Sequence, residues 1–426
     1  GSGIPAIVDF NNDGSAEIVL HTFPLNPGAE DTLAQLFVVN NAGEILEGYP
    51  KFYPRGSLAS PVVGNITGDV TPEIITCNAS SMDSPAQVYA WALQDTVINN
   101  FPVGAFQSIN TSPVLADLDE DELLEIILWA EPYDEGVTGI YAYHGDGELV
   151  DGFPLEAEYG HPDGSPALAD FDHDEQIEIV YTGYNADEGT YIYCWEAGEG
   201  TLEGFPIVVE ARRVVGSPLI ADVSGDRVVD IVVTFAPTDS QSGAIFAWNS
   251  DGELVNDFPI TFDADAGAFA GTPTIADLDL DGDNDIIALT TDRRVMVYDT
   301  PGQHIRDEWP TLKGGMDRTG MRAVNNPLIV EDPAIMLPIS QELISVYPNP
   351  FNSMARISIS LQSGKTAFAK LIDLQGRELH RFATSSDAGN WVFGVNAAEL
   401  GLSSGVYFLN WSTGAEFGTT SILYLP

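Results

Sequence analysis

The chain predicts an all-β fold in which one four-stranded unit is written six times, with a smaller β-domain after it. Three observations carry this. First, prolines 5, 61, 113, 166, 218 and 273 each open a copy, at spacings of 56, 52, 53, 52 and 55 residues. Second, each copy closes on an aromatic-proline pair: Tyr49-Pro50, Phe101-Pro102, Phe153-Pro154, Phe205-Pro206, Phe258-Pro259 and Trp309-Pro310. Third, apolar residues recur at period two or in short runs, and no stretch reads as a helix of useful length. A self-similar period of about 50 residues is the mark of a repeat architecture.

Within a copy four strand signals follow in order. In the fourth they are Pro166–Phe171, Glu178–Thr182, Thr190–Trp195 and Thr201–Ile207, rich in Ile, Val, Tyr and Phe and bounded by turn residues. Hairpin turns are expected between the third and fourth strands, at Asn41-Ala42-Gly43-Glu44, Gly145-Asp146-Gly147-Glu148 and Ser250-Asp251-Gly252-Glu253. Glycine there supplies the positive φ that a tight hairpin needs. Four-stranded antiparallel units at this period read as blades of a β-propeller. A linear β-solenoid is the rival, but its coils are shorter. Six blades are expected, or seven if a blade precedes Gly1 or is built from residues 311–335.

Between the first two strands of every copy lies an acidic loop of fixed spacing. The fourth offers Asp170, Asp172, Asp174 and Glu178, at loop places 1, 3, 5 and 9. The first offers Asp9, Asn11, Asp13 and Glu17, and the third Asp117, Asp119, Asp121 and Glu125. The fifth offers Asp222, Ser224, Asp226 and Asp230, and the sixth Asp277, Asp279, Asp281 and Asp285. The second, with Asn65, Thr67, Asp69 and Glu73, has only two carboxylates. A tightly turned loop of this kind suits Ca²⁺, a hard cation that takes six to eight oxygens, some of them backbone carbonyls. Asp and Asn also favour turns on their own account. Six copies at one spacing, each between two apolar strands, argue for ligands instead. Loops one, three, four and six rank first, loop five next and loop two last, so about five sites are expected.

The copies resemble FG-GAP/VCBS-type repeats, the family of the integrin α-subunit propeller and of many secreted bacterial propellers. The match runs over roughly residues 1–325. The sixth copy, Ile275-Ala-Asp277-Leu-Asp279-Leu-Asp281-Gly282-Asp-Asn-Asp285-Ile286, carries the family pattern most fully. The segment from Trp309 to Gly320 is similar to the closing segment of such propellers. The resemblance implies calcium-stabilised blades.

Formal net charge is −48, from 16 basic and 64 acidic residues. Residues 341–426 hold five basic and six acidic residues, so almost all of the excess sits in the repeats. Such a surface repels nucleic acid and anionic lipid, and both are excluded as partners. Cys77 and Cys194 fall in different copies, so no disulfide is expected. No run approaches the 18 or more apolar residues of a membrane-spanning helix, so no membrane insertion is expected. Calcium loops favour an extracellular setting, where weak sites fill. The chain opens at Gly1, without methionine and at a repeat boundary, as expected of part of a longer precursor.

Residues 326–340 hold three prolines and no repeat landmark and read as a linker stiffened by proline. Residues 341–426 follow as a third segment with seven short strand signals: Ile344–Tyr347, Ala355–Leu361, Ala367–Asp373, Glu378–Ala383, Asn390–Asn396, Gly405–Trp411 and Thr419–Tyr424. This spacing suggests a small Ig-like β-sandwich. Three stretches resemble the C-terminal sorting domain of type IX secretion, in family order: Val346-Tyr-Pro-Asn-Pro-Phe-Asn352, Leu371-Ile-Asp-Leu-Gln-Gly-Arg377 and Leu402-Ser-Ser-Gly-Val-Tyr-Phe408. The resemblance implies engagement of the type IX machinery, export across a Gram-negative outer membrane, and release or surface attachment. Family members commonly carry a basic residue near the terminus, whereas this chain ends Ser421-Ile-Leu-Tyr-Leu-Pro426.

Catalytic motifs do not stand out. The six histidines (His21, His144, His161, His173, His304 and His380) are scattered, and no zinc-protease, nucleophile-elbow or phosphate-loop signature occurs. Arg212-Arg213 is read as a pair offsetting local acidity, and the aromatic-proline pairs as packing between blades. The function expected is a non-catalytic, calcium-stabilised binding, adhesion or structural module that meets an extracellular protein or glycan, alone or in a surface assembly. Two alternatives remain: the accessory end of a larger secreted enzyme such as a peptidase, or a calcium-dependent propeller enzyme acting on polysaccharide.

Overall fold

A computed structural model describes residues 4–11, 15–22, 33–68, 71–92, 97–109, 111–157, 164–171, 176–196, 200–238, 242–261, 269, 271–279, 281–305, 308–314, 320–322, 344–347, 353–361, 368–372, 377–382, 389–412 and 417–424. The chain divides into two compact units, Gly1–Asn326 and Pro327–Pro426. The expected linker at 326–340 lies outside the described residues.

The described residues of the first unit form six successive antiparallel arrays of strands, the second and third of which are joined. Sheet one holds β1 (Ala6–Val8), β2 (Glu17–Thr22), β3 (Leu33–Val39) and β4 (Lys51–Pro54). Sheet two holds β5 (Val62–Gly64), β6 (Glu73–Cys77), β7 (Ala86–Trp91) and β8 (Val103–Ser108). Sheet three holds β9 (Val114–Ala116), β10 (Glu125–Pro132), β11 (Gly139–Tyr143) and β12 (Leu155–Glu156). Ser108 of β8 also faces Glu131 of β10, which joins sheets two and three into one larger sheet. Sheet four holds β13 (Ala167–Ala169), β14 (Glu178–Asn185), β15 (Gly189–Glu196), β16 (Gly200–Thr201) and β17 (Ile207–Glu210). Sheet five holds β18 (Leu219–Ala221), β19 (Asp230–Phe235), β20 (Ala244–Trp248) and β21 (Ile260–Thr261). Among the described residues sheet six has three strands, β22 (Thr274–Ala276), β23 (Asp285–Leu289) and β24 (Val295–Asp299).

The last strand of the fourth copy differs from the expected Thr201–Ile207. It is split into β16 and β17, both on β15, with Leu202–Pro206 between them. Proline has no N–H to give a ladder, so the main pairing starts again beyond Phe205-Pro206. That peptide bond is cis, as are Tyr49-Pro50, Phe101-Pro102, Phe153-Pro154 and Phe258-Pro259. The aromatic members pack between sheets: Phe153 meets Trp195 of sheet four edge-on, with centroids 5.1 Å apart.

First strands β5, β9, β13 and β18 are wholly buried, because each is a short unbroken apolar run covered on both faces. Apolar clusters bridge sheets one and two, two and three, three to five, and five and six. A chain of polar contacts runs beside them. The residue before each of the first five opening prolines donates its amide to the side chain of its counterpart one copy on. Ile4 donates to Ser60 Oγ (2.9 Å), Ser60 to Ser112 (2.9 Å), Ser112 to Ser165 (2.9 Å), Ser165 to Ser217 (2.8 Å) and Ser217 to Thr272 Oγ1 (2.8 Å).

After β24 the chain runs along the first strands. Trp309 exchanges backbone hydrogen bonds with Ile220, and the Pro310 carbonyl accepts from Ile275. Lys313, 1% exposed, donates its Nζ to the Pro61 carbonyl. The Gly320 carbonyl accepts from Leu115, and β25 (Met321–Arg322) pairs parallel with β9. The described part of residues 311–335 therefore lies along existing sheets and adds no further antiparallel unit.

The second unit holds β26 (Ile344–Tyr347), β27 (Met354–Leu361), β28 (Phe368–Ile372), β29 (Glu378–Arg381), β30 (Gly389–Asn396), β31 (Gly405–Ser412) and β32 (Phe417–Tyr424). They form two antiparallel sheets, ordered β26-β27-β30 and β29-β28-β31-β32. Ala355, Ile357 and Val395 of one meet Leu371, Leu409 and Trp411 of the other in a single core. A helical turn absent from the sequence reading, α1 (Ala397–Leu400), is capped by Asn396 Oδ1 and ends on left-handed Gly401. No described helix is long and apolar enough to cross a membrane.

Candidate metal sites of the acidic loops

The six acidic loops share one piece of geometry. The place-nine carboxylate opens the second strand of its sheet and accepts the amide of loop place two. Phe10 donates to Glu17 Oε2 (3.0 Å), Ile66 to Glu73 Oε2 (3.0 Å) and Leu118 to Glu125 Oε2 (2.7 Å). Phe171 donates to Glu178 Oε2, Val223 to Asp230 Oδ2 (3.0 Å) and Leu278 to Asp285 Oδ2 (2.8 Å). These carboxyl groups are 0, 1, 1, 0, 1 and 5% exposed in chain order, although each is an ionisable group at the head of an apolar strand. Burying a carboxylate is expensive unless hydrogen bonds or a cation compensate. The place-two amide, joined at Asp230 by that of Ser224, is a partial answer.

Places one and five shape the turn. In the third loop Asp117 accepts the amides of Asp121 and Glu122, and Asp121 accepts that of Leu123. In the sixth, Asp277 accepts from Asp281 and Gly282, and Asp281 from Asp283. These bonds curl the loop so that its side chains converge. Ligand oxygens of Asp117, Asp119 and Asp121 lie within 4.8 Å of one another, as do those of Asp277, Asp279 and Asp285. All-oxygen, carboxylate-rich clusters of this size fit a hard divalent cation. Burial pushes the Asp117 carboxyl upward, and it pushes Glu125 and Asp230 up to about 7, so without a counter-ion these three groups resist ionising.

The other loops differ. In the second, Thr67 Oγ1 donates to Glu73 Oε1 at 2.9 Å, and Asn65 Oδ1 accepts from Thr67 and Gly68. A protein hydroxyl here takes an oxygen that could otherwise face a cation. In the fifth, Asp222 is fully buried and accepts three amides, from Gly225, Arg227 and Gln303. Among the described residues its carboxylates are not gathered as in loops three and six. Asp9, Asn11 and Glu17 of the first loop, and Asp170 and Glu178 of the fourth, are described. Asp13, Asp69, Asp172 and Asp174 lie outside the described residues, as do His161 and His173.

Other singled-out residues have structural partners. Arg212 lies over the Phe246 ring at 5.6 Å and donates to the Ser242 carbonyl, while Arg213 lies over Tyr184 at 5.5 Å. Both cysteines are buried, and neither is in a disulfide. Sequence reasoning missed a cleft of about 310 Å³ lined by Lys51, Phe52, Tyr53, Pro54, Tyr89, Trp91 and Val97. Its residues come from two successive copies, so no single motif announces it. Tyr53, Tyr89 and Trp91 are all under 9% exposed, whereas Phe52 is 54% exposed.

Residues 345–423 match the secretion system C-terminal sorting domain family, Por_Secre_tail. Such a domain marks a chain for export by type IX secretion to the cell surface or extracellular space, and implies contact with that machinery. No curated protein matches the chain. Among solved structures, a lectin from Burkholderia pseudomallei shares 11% identity over 71% of this chain and 81% of its own, with a TM-score of 0.47. An exo-β-1,3-galactanase from Phanerochaete chrysosporium shares 10% over 90% of this chain and 96% of its own (TM-score 0.32). An acylaminoacyl peptidase from Pyrococcus horikoshii shares 13% over 85% and 59% (TM-score 0.27). Likenesses this remote carry no functional argument.

Proposed function

We propose that residues 1–325 form a calcium-stabilised β-propeller of the FG-GAP/VCBS kind. It would act as a binding or adhesion module, carried to the surface or the medium by the sorting domain at 341–426. The observation that carries this reading is the buried place-nine carboxylate, held by the same amide in all six sheets. A merely solvated acidic turn has no reason to bury its last carboxylate.

Ring geometry is supported by the segment from Trp309 to Arg322. Its contacts reach the first strands of sheets five, six and three, and Pro61 beside that of sheet two. So few residues span at most about 50 Å even when fully extended. First strands that all lie within this reach suit an arrangement around one axis. The acidic surface then directs the module toward proteins or glycans rather than nucleic acid or anionic lipid.

Calorimetry of the full chain tests the reading. Calcium titrated into chelator-treated protein should bind at several sites and raise Tm by many degrees. At a hundred times Kd each site adds roughly 2.7 kcal/mol of stability. An identical melt with and without calcium, and no heat of binding, would sink it.

A further inference from the structure

The register of the sheets exposes a ligand position that loop spacing does not show. The place-nine carboxylate begins the second strand, so the residue facing it across the sheet ends the third strand or follows it. Paired registers put Glu178 opposite Glu196 and Asp285 opposite Asp299. In the other sheets the residue beyond the last pair is Asn40, Ala92, His144 and Asn249, in sheets one, two, three and five. Direct cross-strand neighbours have Cβ atoms about 5 Å apart. One metal radius can therefore reach both.

This position varies where the loop pattern does not. It is alanine beside loop two, where Thr67 already holds Glu73. Asparagine occupies it twice, a carboxylate twice and histidine once. Asp299 offers an oxygen within 4.8 Å of Asp281, a loop-six residue. His144 is placed most tellingly. Its Nδ1 lies 3.2 Å from Glu125 Oε1, and Asp119, Glu125 and His144 each offer a ligand atom within 4.8 Å of the other two. Asp119 also belongs to the Asp117-Asp119-Asp121 group, so the imidazole joins the loop-three cluster itself. Its ring is 30% exposed, which leaves an approach from solvent, while Glu125 is 1% exposed.

Imidazole nitrogen is a poor partner for calcium, which takes oxygen, and a good one for zinc, cobalt or nickel. Three protein ligands of the His/Asp/Glu type are also enough to hold Zn²⁺ with a further position open. We propose that the third acidic loop is a transition-metal site, with His144 as a ligand beside Asp119 and Glu125, and that it selects Zn²⁺ over Ca²⁺. This rests on the reading of the loops as cation sites. The cross-strand residue would then set which ion each loop takes.

The test uses the full chain, freed of metal and then saturated with calcium. ZnCl₂ is titrated into wild type, H144N (which installs the residue of sheets one and five) and H304N, a control at another histidine. Wild type and H304N should take up one zinc at micromolar Kd or tighter, and H144N should bind it at least tenfold more weakly. Cobalt absorption should show the same pattern, with an unchanged melting profile certifying that H144N is folded. Equal zinc binding by H144N and wild type would overturn the proposal, since another group would be the ligand. Absence of zinc binding by wild type would also overturn it. The calcium titration is read separately: its failure removes the calcium reading, whereas zinc uptake lost in H144N would still stand.

Discussion

The backbone amide of Ser112 donates to the hydroxyl of Ser165 at 2.9 Å, across one whole repeat. Both residues precede an opening proline, which holds them extended. Both are buried, at 7 and 5% exposure. The bond is one of five in a run through Ile4, Ser60, Ser112, Ser165, Ser217 and Thr272. Each serine uses its hydroxyl to satisfy the previous copy and its own amide to reach the next.

Removing one hydroxyl should therefore leave a buried amide without its acceptor. Ser165→Ala is expected to cost about 1–3 kcal/mol, the penalty for an unmade buried hydrogen bond. Urea unfolding monitored by tryptophan fluorescence measures it. Ser165→Thr, which keeps the hydroxyl as Thr272 does, should cost much less. Equal losses for both variants would show that packing rather than the hydrogen bond matters there.

Loops two and six should respond differently to calcium. Thr67→Val removes the hydroxyl that Glu73 accepts, so its cost of about 1–2 kcal/mol should be the same with calcium or chelator. Asp279→Asn withdraws a carboxylate oxygen from a cluster with Asp277 and Asp285. Its cost should appear in calcium and vanish in chelator. Paired melts of each variant in the two buffers decide the matter. A calcium-dependent loss at Thr67 would mean that loop two is also a working site.

The repeat made much of this legible, and its limits are physical. Loop spacing named Glu125 and Asp285 because place nine is fixed along the chain. His144 and Asp299 escaped because they lie opposite those residues only once the strands pair. The serine run was present as the residue before each proline, but serine there reads equally as turn chemistry. Strand four of the fourth copy was misplaced because apolar residues continue through Phe205-Pro206 while the ladder does not. In the second unit all seven strand signals have a strand, since alternation on a half-buried sheet is a strong pattern.

Acid should weaken the fold through His21. Its ring is buried, and Nδ1 lies 2.7 Å from the Tyr53 hydroxyl. Burial first, and the Lys313 charge second, push its pKa down from 6.5 to about 4. Tyr53 is its hydrogen-bonding neighbour and stays neutral, since burial pushes its pKa up. A depressed folded pKa means that the folded state prefers the neutral ring. This contribution is present above pH 6.5 and is lost as pH falls toward 4. It amounts to roughly 2–3 kcal/mol over that window. His21→Gln cannot take up the proton, so the difference between wild type and variant should shrink or reverse from pH 7.5 to pH 4.5. A constant difference across that range would show that His21 does not titrate with folding.

Two glycine-to-alanine changes should separate close approach from chain entropy. A Cβ at Gly145 would sit 1.8 Å from the Ile66 carbonyl oxygen, a backbone atom of the preceding copy. Neither partner can turn away, because Ile66 is itself fixed by the bond from its amide to Glu73. Gly145→Ala must push sheet three off the second loop, with an expected loss of about 2 kcal/mol or more. A Cβ at Gly394 in β30 meets nothing nearer than Met354 Sδ at 3.4 Å, the flexible end of an exposed side chain. Alanine there removes conformational freedom from the unfolded chain without a clash, so Gly394→Ala should stabilise by about 0.5–1 kcal/mol. Denaturant midpoints that move in opposite directions support the close packing of sheet three on loop two. A Gly145→Ala protein as stable as wild type would mean that the hairpin and the loop are free to part.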